Sequence, residues 1–232
     1  MSDATLQLAC AGETLLLHPQ RAVVWPVQRT LFIADLHLGK AEVFRRSGIP
    51  IPEGHTHADL RRLDALIATF ALQRIVLLGD FLHAASPERS THAEAFTAWR
   101  TTHPALDFVV VAGNHDRRAA GRELADVVDW QLQEWRIGPF VCRHHPGSSP
   151  GGFVLAGHIH PAMYLYGSHR ERTRIPVCWL RKDHAVLPSF GSFTGGGDID
   201  PAPEDRLFAF AADRVWSLPA LSSAPRTRNP CS

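Results

Sequence analysis

Five short polar clusters, each just after an apolar run, carry the residue types of a metal site. They are Asp35-Leu36-His37, Gly79-Asp80, Gly113-Asn114-His115-Asp116, His144-His145-Pro146 and Gly157-His158-Ile159-His160. Together they supply enough carboxylate, amide and imidazole for two cations in one pocket. This mix suits Mn, Fe or Zn, whereas a site for Mg alone rarely uses three or four histidines. Two cations roughly 3.5–4 Å apart can lower the pKa of a bridging water and hold a phosphate oxygen in line with it. Hydroxide formed there would attack phosphorus, so the chemistry indicated is metal-assisted hydrolysis of phosphate esters. Asp80 is the candidate for a carboxylate shared between the two ions.

Taken singly the clusters are weak signals, because a DxH or a GD is commonly a cap or a turn. Their strength lies in placement. Strand ends on one edge of a sheet converge, and such edges host ligand sites. Asp35 and His37 are two apart, as are His158 and His160, so each pair can point to one side of an extended backbone.

The elements that must position these residues can be read from periodicity. Thr5 to Leu17 suggests an edge hairpin, and Arg21 to Trp25 a strand that Pro26 ends. Short apolar runs at Leu31 to Ala34, Ile75 to Leu78 and Phe108 to Val111 read as buried strands. Between them, Leu60, Leu63, Leu66, Ile67 and Phe70 give His57 to Leu72 a helical face. Glu88 to Arg100 reads as a second helix, with Ser86 as cap and Pro87 in its first turn. Arg118 to Asp126 reads as a short third helix. This alternation predicts parallel strands joined by right-handed crossovers. Beyond it, strands are expected at Gly138 to Arg143, Phe153 to Ala156, Ile175 to Leu180, Ala185 to Phe190, Leu207 to Ala211 and Val215 to Leu218. The result is two packed sheets with helices outside.

The chain has 232 residues, enough for one domain with a substantial core. Residues 1–221 are read as that domain and 222–232, rich in Ser, Pro, Arg and Asn, as a flexible tail. A formal charge of +1 excludes global attraction to nucleic acid and leaves room for a local basic patch. The four cysteines (Cys10, Cys142, Cys178, Cys231) form no CxxC pair, so free thiols are expected rather than a disulfide framework or a zinc finger. Met1 to Gly12 does not read as a signal peptide, and no apolar run approaches membrane-spanning length. A reduced, cytoplasmic protein without membrane partners is expected.

The five clusters resemble the five signatures of the calcineurin-like metallophosphoesterases, over roughly residues 30 to 197. The resemblance implies an α/β fold, a four-layer αββα sandwich of two mixed β-sheets flanked by helices, with a dimetal centre at one edge. By that match one metal would take Asp35, His37, Asp80 and His160. The other would take Asp80, Asn114, His158 and either His144 or His145, with His144 favoured because the family usually sets this ligand two positions before a proline. Gly39 to Gly54 and Leu187 to Gly197 further resemble the bacterial DNA-ligase-associated subgroup. Its members are manganese-dependent DNA phosphodiesterases or endonucleases linked to repair helicases, nucleases and ligases. The implied cofactors are two divalent ions, Mn2+ first and Fe or Zn as alternatives. The implied partner is DNA, single-stranded, with a repair helicase, nuclease or ligase as possible protein partners.

Roles for the remaining residues follow from their chemistry. His115 could stabilise charge on phosphate oxygens and protonate the leaving oxygen. Asp116 could accept a hydrogen bond from His115 and fix its tautomer, or serve as an acidic residue at a helix N-terminus. His83 either faces the pocket or lies on a solvated loop. Lys40, Arg45 and Arg46, in a basic loop whose exit Pro50 and Pro52 would pin, could contact a phosphodiester backbone or only water. Arg117 and Arg118 could meet phosphate or cover a helix surface. No obvious aromatic ladder for single strands is present; Trp130 and Trp135 could stack on a base or simply pack. A hydrolase of small phosphoesters such as cyclic nucleotides is the competing reading, and a non-catalytic interaction module on the same fold is a third.

Overall fold

The computed structural model describes residues 4–83, 90–118, 124, 126–166 and 171–219. Three apolar runs set its frame. They form strands β4 (Thr30–Ile33), β5 (Arg74–Leu78) and β6 (Asp107–Val111), which pair in parallel. Each is buried on both faces, which is why they read as continuous apolar runs rather than alternating ones. Leu31, Ile33, Ile75, Leu77, Phe108 and Val110 face one side, where Leu60, Leu63, Leu66, Phe96 and Trp99 pack on them. Phe32, Val76, Leu78, Val109 and Val111 face the other side, against Phe140, Cys142, Leu155, Cys178 and Phe208. Full burial of an aromatic such as Phe32 is worth roughly 2–3 kcal/mol.

The first side belongs to helices α2 (His55–Phe70) and α3 (Thr91–Thr101). Ser90 caps α3, its hydroxyl oxygen accepting a hydrogen bond from the Ala93 N–H. The helix thus starts later than Glu88, and the cap expected at Ser86 with Pro87 lies outside the described residues. An N-terminal meander of β1 (Leu6–Cys10), β2 (Glu13–His18) and β3 (Ala22–Trp25) extends the sheet antiparallel from β4. On the far side β7 (Asp129–Gln131) adds a seventh strand. The short helix expected over Arg118 to Asp126 is at its start a 3-10 turn, Asp116–Arg118; most of its remainder lies outside the described residues.

Among the described residues the second sheet has nine strands. It contains β8 (Trp135–Ile137), β9 (Phe140–Cys142), β10 (Phe153–Ala156), β11 (Pro161–Tyr166), β12 (Arg172–Leu180), β13 (His184–Val186), β14 (Gly197–Asp198), β15 (Arg206–Phe210) and β16 (Val215–Ser217). β9, β10 and β13 run parallel, and the other pairings are antiparallel except β11 with β14. The expected pair of mixed sheets is therefore present. Among the described residues the helical cover is on the first sheet, and the second sheet's outer face carries the smaller cluster of Ile175, Val177, Leu207 and Ala209. The 222–232 tail lies outside the described residues.

One expected loop is a helix. Lys40–Arg46 forms α1, entered through Gly39 at φ 83 and braced by the Glu42–Arg46 ion pair one turn apart. Cys10, Cys142 and Cys178 are buried free thiols, with burial pushing that of Cys10 up to about 12. Trp130 packs against Phe81, and Trp135 lies under the Arg74 guanidinium. Among the described residues no helix is long and apolar enough to cross a membrane.

Candidate metal centre

The polar clusters sit where parallel strands stop together. Ile33 is level with Leu77, and Leu78 with Val111; across the sandwich Leu155 is level with Cys142. Asp35 and Asp80 follow their strands by two residues and Asn114 by three. His144 and His158 follow β9 and β10 by two. A bridge between Ala34 and Ser189 stitches the two sheets at this edge, and Ser189 Oγ donates to the Asp35 carbonyl at 2.6 Å.

The side chains converge through backbone kinks rather than strand alternation. Asp35, His37, Asp80, His158 and His160 all have positive φ, at 51, 48, 46, 72 and 51°. Non-glycine residues held there cost roughly 1–3 kcal/mol each, and such strain collects at functional sites. Hydrogen bonds between clusters hold it: Asp35 N–H to Gly79 O, His37 N–H to Asp80 O, His158 N–H to Asp35 Oδ2 and His115 N–H to Asp80 Oδ1. Two motif glycines are needed for close approach. A Cβ on Gly79 would enter the His144 ring, and one on Gly113 would strike the Asp80 carboxylate.

Two donor groups meet at Asp80. In the first, His160 Nε2 lies 3.5 Å from Asp35 Oδ2 and 3.3 Å from His37 Nε2, which lies 3.8 Å from Asp80 Oδ2. In the second, His144 Nε2 lies 3.6 Å from Asp80 Oδ1 and 3.0 Å from His158 Nδ1. Asn114 Oδ1 faces His145 Nε2 at 3.0 Å, and the His145 ring lies against His158. His144 is buried and faces both Asp35 and Asp80, whereas His145 is exposed. All seven expected ligands thus come to one edge, and His144 rather than His145 is aimed at the Asp80 carboxylate.

The electrostatics fit a cation. Burial, then its neighbours His160 and Lys40, pushes His37 down to about 2, and burial pushes His144 down to about 4. These rings are neutral, so their approaches to Asp80 are not ion pairs and their lone pairs are free to ligate. Burial pushes Asp35 up to about 6, against the hydrogen bond from His160, and its Oδ1 is buried with no donor in reach. His160 moves the other way: burial lowers it, but contact with Asp35 raises it more. A buried carboxylate oxygen without a donor, among ring nitrogens 3.0–3.3 Å apart, is what a divalent ion would satisfy.

A pH dependence follows. Below about pH 6 a metal must displace protons from Asp35 and His160, whereas His37 and His144 carry none to displace. Metal affinity is expected to fall on acidification from pH 7.5 to 5, by about tenfold per pH unit for each displaced proton. Titration calorimetry with Mn2+ at the two pH values measures this, and equal affinities would contradict it.

Around this centre the other expected residues divide. His83 is half-buried, faces the pocket and stacks on His115 with ring centroids 5.1 Å apart; burial and then Lys40 push it down to about 4. Lys40 lies in the field of Asp35 and Asp80. Arg45 and Arg46 do not join the cluster: Arg45 donates to the Pro52 carbonyl and Arg46 pairs with Glu42. Arg117 is exposed and makes no hydrogen bond or ion pair among the described residues, and the Arg118 side chain lies outside the described residues. Asp116 does not orient His115. Its buried carboxylate accepts three backbone N–H bonds, from Gly113, Phe81 and Leu82, and so clamps the loop after β5 to the loop after β6.

Sequence reasoning missed an aromatic patch beside His83. Phe44 of α1 lies against both His83 and Phe193, and Phe193 touches His55. Both phenylalanines lie in the stretches that carry the subgroup resemblance, but nothing in their spacing pairs them.

The model of the calcineurin-like phosphoesterase family matches residues 28–211. The crystal structure of Pseudomonas putida nuclease MPE is 36% identical with a TM-score of 0.80, covering 92% of this chain and 100% of its own. YfcE, a phosphoesterase from E. coli, is 15% identical with a TM-score of 0.40, covering 80% of this chain and 90% of its own. Comparison with curated proteins finds no match. With most of its length inside the family match, and five polar turns gathered at one sheet edge, the chain belongs to the calcineurin-like phosphoesterases.

Proposed function

We propose that this chain is a dimetal-dependent nuclease that hydrolyses DNA phosphodiesters, with Mn2+ as its preferred ion. The carrying observation is Asp80 standing between two donor groups, one oxygen facing His37 and the other His144. The family uses divalent metal ions, and candidate His/Asp groups are present. Asp35, His37, Asp80 and His160 would hold one ion, and Asp80, Asn114, His144 and His158 the other. When bound, the ions supply Lewis acidity at phosphorus and acidify water. Similarity to a nuclease favours a polynucleotide substrate, and the aromatic patch beside His83 favours unpaired bases, which every π-face can accept.

The protein's own groups do the rest. Lys40, in the field of Asp35 and Asp80, would meet a nonbridging phosphate oxygen. His115 is exposed at the mouth, its backbone tied to Asp80, so its ring can give a proton to the departing oxygen. His83, held at about 4, is an uncharged imidazole at neutral pH and is suited to support that ring rather than replace it.

Circular single-stranded DNA tests the reading. Incubation with Mn2+ is expected to give linear molecules first and shorter fragments later, and chelation to stop both. Intact circles alongside rapid hydrolysis of a cyclic nucleotide would move the assignment to small phosphoesters.

A further inference from the structure

Next to His160 is a cavity of about 260 Å³ between β11, β12 and the segment 188–196. Arg21, Arg174, Ser189 and Gly195 are among the residues that line it. Arg21 follows the turn between β2 and β3, with φ 61, and is half-buried. Its guanidinium has no hydrogen-bond acceptor among the described residues. The nearby carboxylate is already committed: Asp59 accepts from Arg62, from the Ser192 N–H and from the Ser192 hydroxyl. Arg62 is saturated in turn by Gln20, Asp59 and the Phe190 carbonyl. Two guanidinium groups therefore share one carboxylate, and the surplus cation is the one that faces the cavity. Arg174 on the opposite wall is paired with Asp198.

We infer that this cavity is a phosphate subsite: Arg21 receives the phosphodiester neighbouring the one at the metal centre. The inference rests on the nuclease reading and extends it, because only a substrate with a second phosphate can use the site. Arg21 stays a cation at neutral pH, since burial and then Arg62 lower it only to about 10. Gly195 and Gly196 line the cavity, Gly196 packed closely on Ala162 and Arg174, and the Gly195 carbonyl lies 3.2 Å from His160 Nδ1, so the cavity and His160 adjoin directly. A planar guanidinium matches phosphate with paired N–H donors, a fit that lysine supplies only as a point charge.

The test compares wild type, Arg21→Gln and Arg21→Lys. Binding of a fluorescent single-stranded 12-mer is followed by anisotropy in chelator, and Mn2+-dependent cleavage is measured on the same oligonucleotide and on bis(4-nitrophenyl) phosphate. Arg21→Gln is expected to weaken oligonucleotide binding about 5- to 20-fold and to lower the salt slope by about 0.7. Arg21→Lys is expected to recover part of the affinity and most of the slope. The loss in kcat/KM is expected to be at least about fivefold greater for the oligonucleotide than for the small diester. Wild-type cleavage of DNA with unchanged binding by Arg21→Gln overturns the subsite alone. Equal losses on both substrates also overturn it. Failure of the wild type to bind or cut the oligonucleotide overturns the nuclease reading, and the subsite with it.

Discussion

Asp80→Asn is expected to lower Mn2+-dependent cleavage at least about 1000-fold and to abolish tight binding of metal, while the metal-free protein stays folded. On the proposed reading the substitution removes a ligand shared by both ions and with it several kcal/mol of charge stabilisation, and each 1.36 kcal/mol is tenfold in rate. The substitution is structurally mild for two reasons. Asparagine tolerates the positive φ of 46° better than alanine would, and it keeps an oxygen for the His115 N–H. Moreover, the clamp on the neighbouring loops belongs to Asp116, which is untouched. Removing the charge also relieves its repulsion of Asp35, so the metal-free melting temperature is expected to hold or rise while the metal-induced increase disappears. Elemental analysis, melting with and without Mn2+, and initial cleavage rates together read this out. A variant with full metal content and wild-type rate would remove Asp80 from the centre. A variant that loses its metal-free fold would make Asp80 a structural residue instead.

That Asp80 could be picked out beforehand reflects what a single chain displays. β4, β5 and β6 are buried on both faces, so each shows as an unbroken apolar run, and a polar residue two or three positions past its end is conspicuous. The same holds for β9 and β10 and the histidines beyond them. Elements with weaker signatures were hidden. β11 starts at Pro161 and has one half-exposed edge, and its register is set by β12, which no local pattern announces. α1 has only seven residues, with an ion pair and a glycine entrance in place of an apolar stripe, so it reads as a basic loop.

The site shows the same division. Residue types were legible because ligation needs particular atoms, but their convergence depends on left-handed kinks at five non-glycine positions, which a strand-like spacing does not foretell. Of the two roles open to Asp116, the one at a helix N-terminus is met, since it opens the 3-10 turn Asp116–Arg118, while the partnership with His115 is not, for a related reason. Adjacency to His115 suggests a partnership, yet the carboxylate points to backbone N–H groups 34–35 positions earlier, and only the folded chain brings those within reach. Arg21 precedes the first cluster and belongs to no motif; what distinguishes it is the absence of a hydrogen-bond acceptor among the described residues, visible only in three dimensions.

His115→Ala is the most discriminating substitution for the proposed chemistry, because it separates proton delivery from metal retention. Alanine preserves the backbone N–H that Asp80 Oδ1 accepts at 3.1 Å, so the donor groups keep their geometry and metal content should equal that of wild type. What is lost is the ring at the mouth of the pocket. On DNA the departing group is an alkoxide that needs a proton, and general-acid catalysis contributes about 100- to 10,000-fold. Cleavage of an oligonucleotide is therefore expected to fall by roughly 100-fold or more. On bis(4-nitrophenyl) phosphate the departing phenolate is stable without protonation, and the expected loss is only a few-fold. His83 is exposed by the change but cannot take over, since burial and Lys40 keep it unprotonated near neutral pH. The acidic rise in residual activity that a His83 substitute would produce should appear only towards about pH 4, where Asp35 is itself protonated and metal is lost. The same fractional loss on both substrates, with metal retained, would assign the His115 ring to phosphate binding rather than to proton transfer. Loss of metal would place it among the ligands.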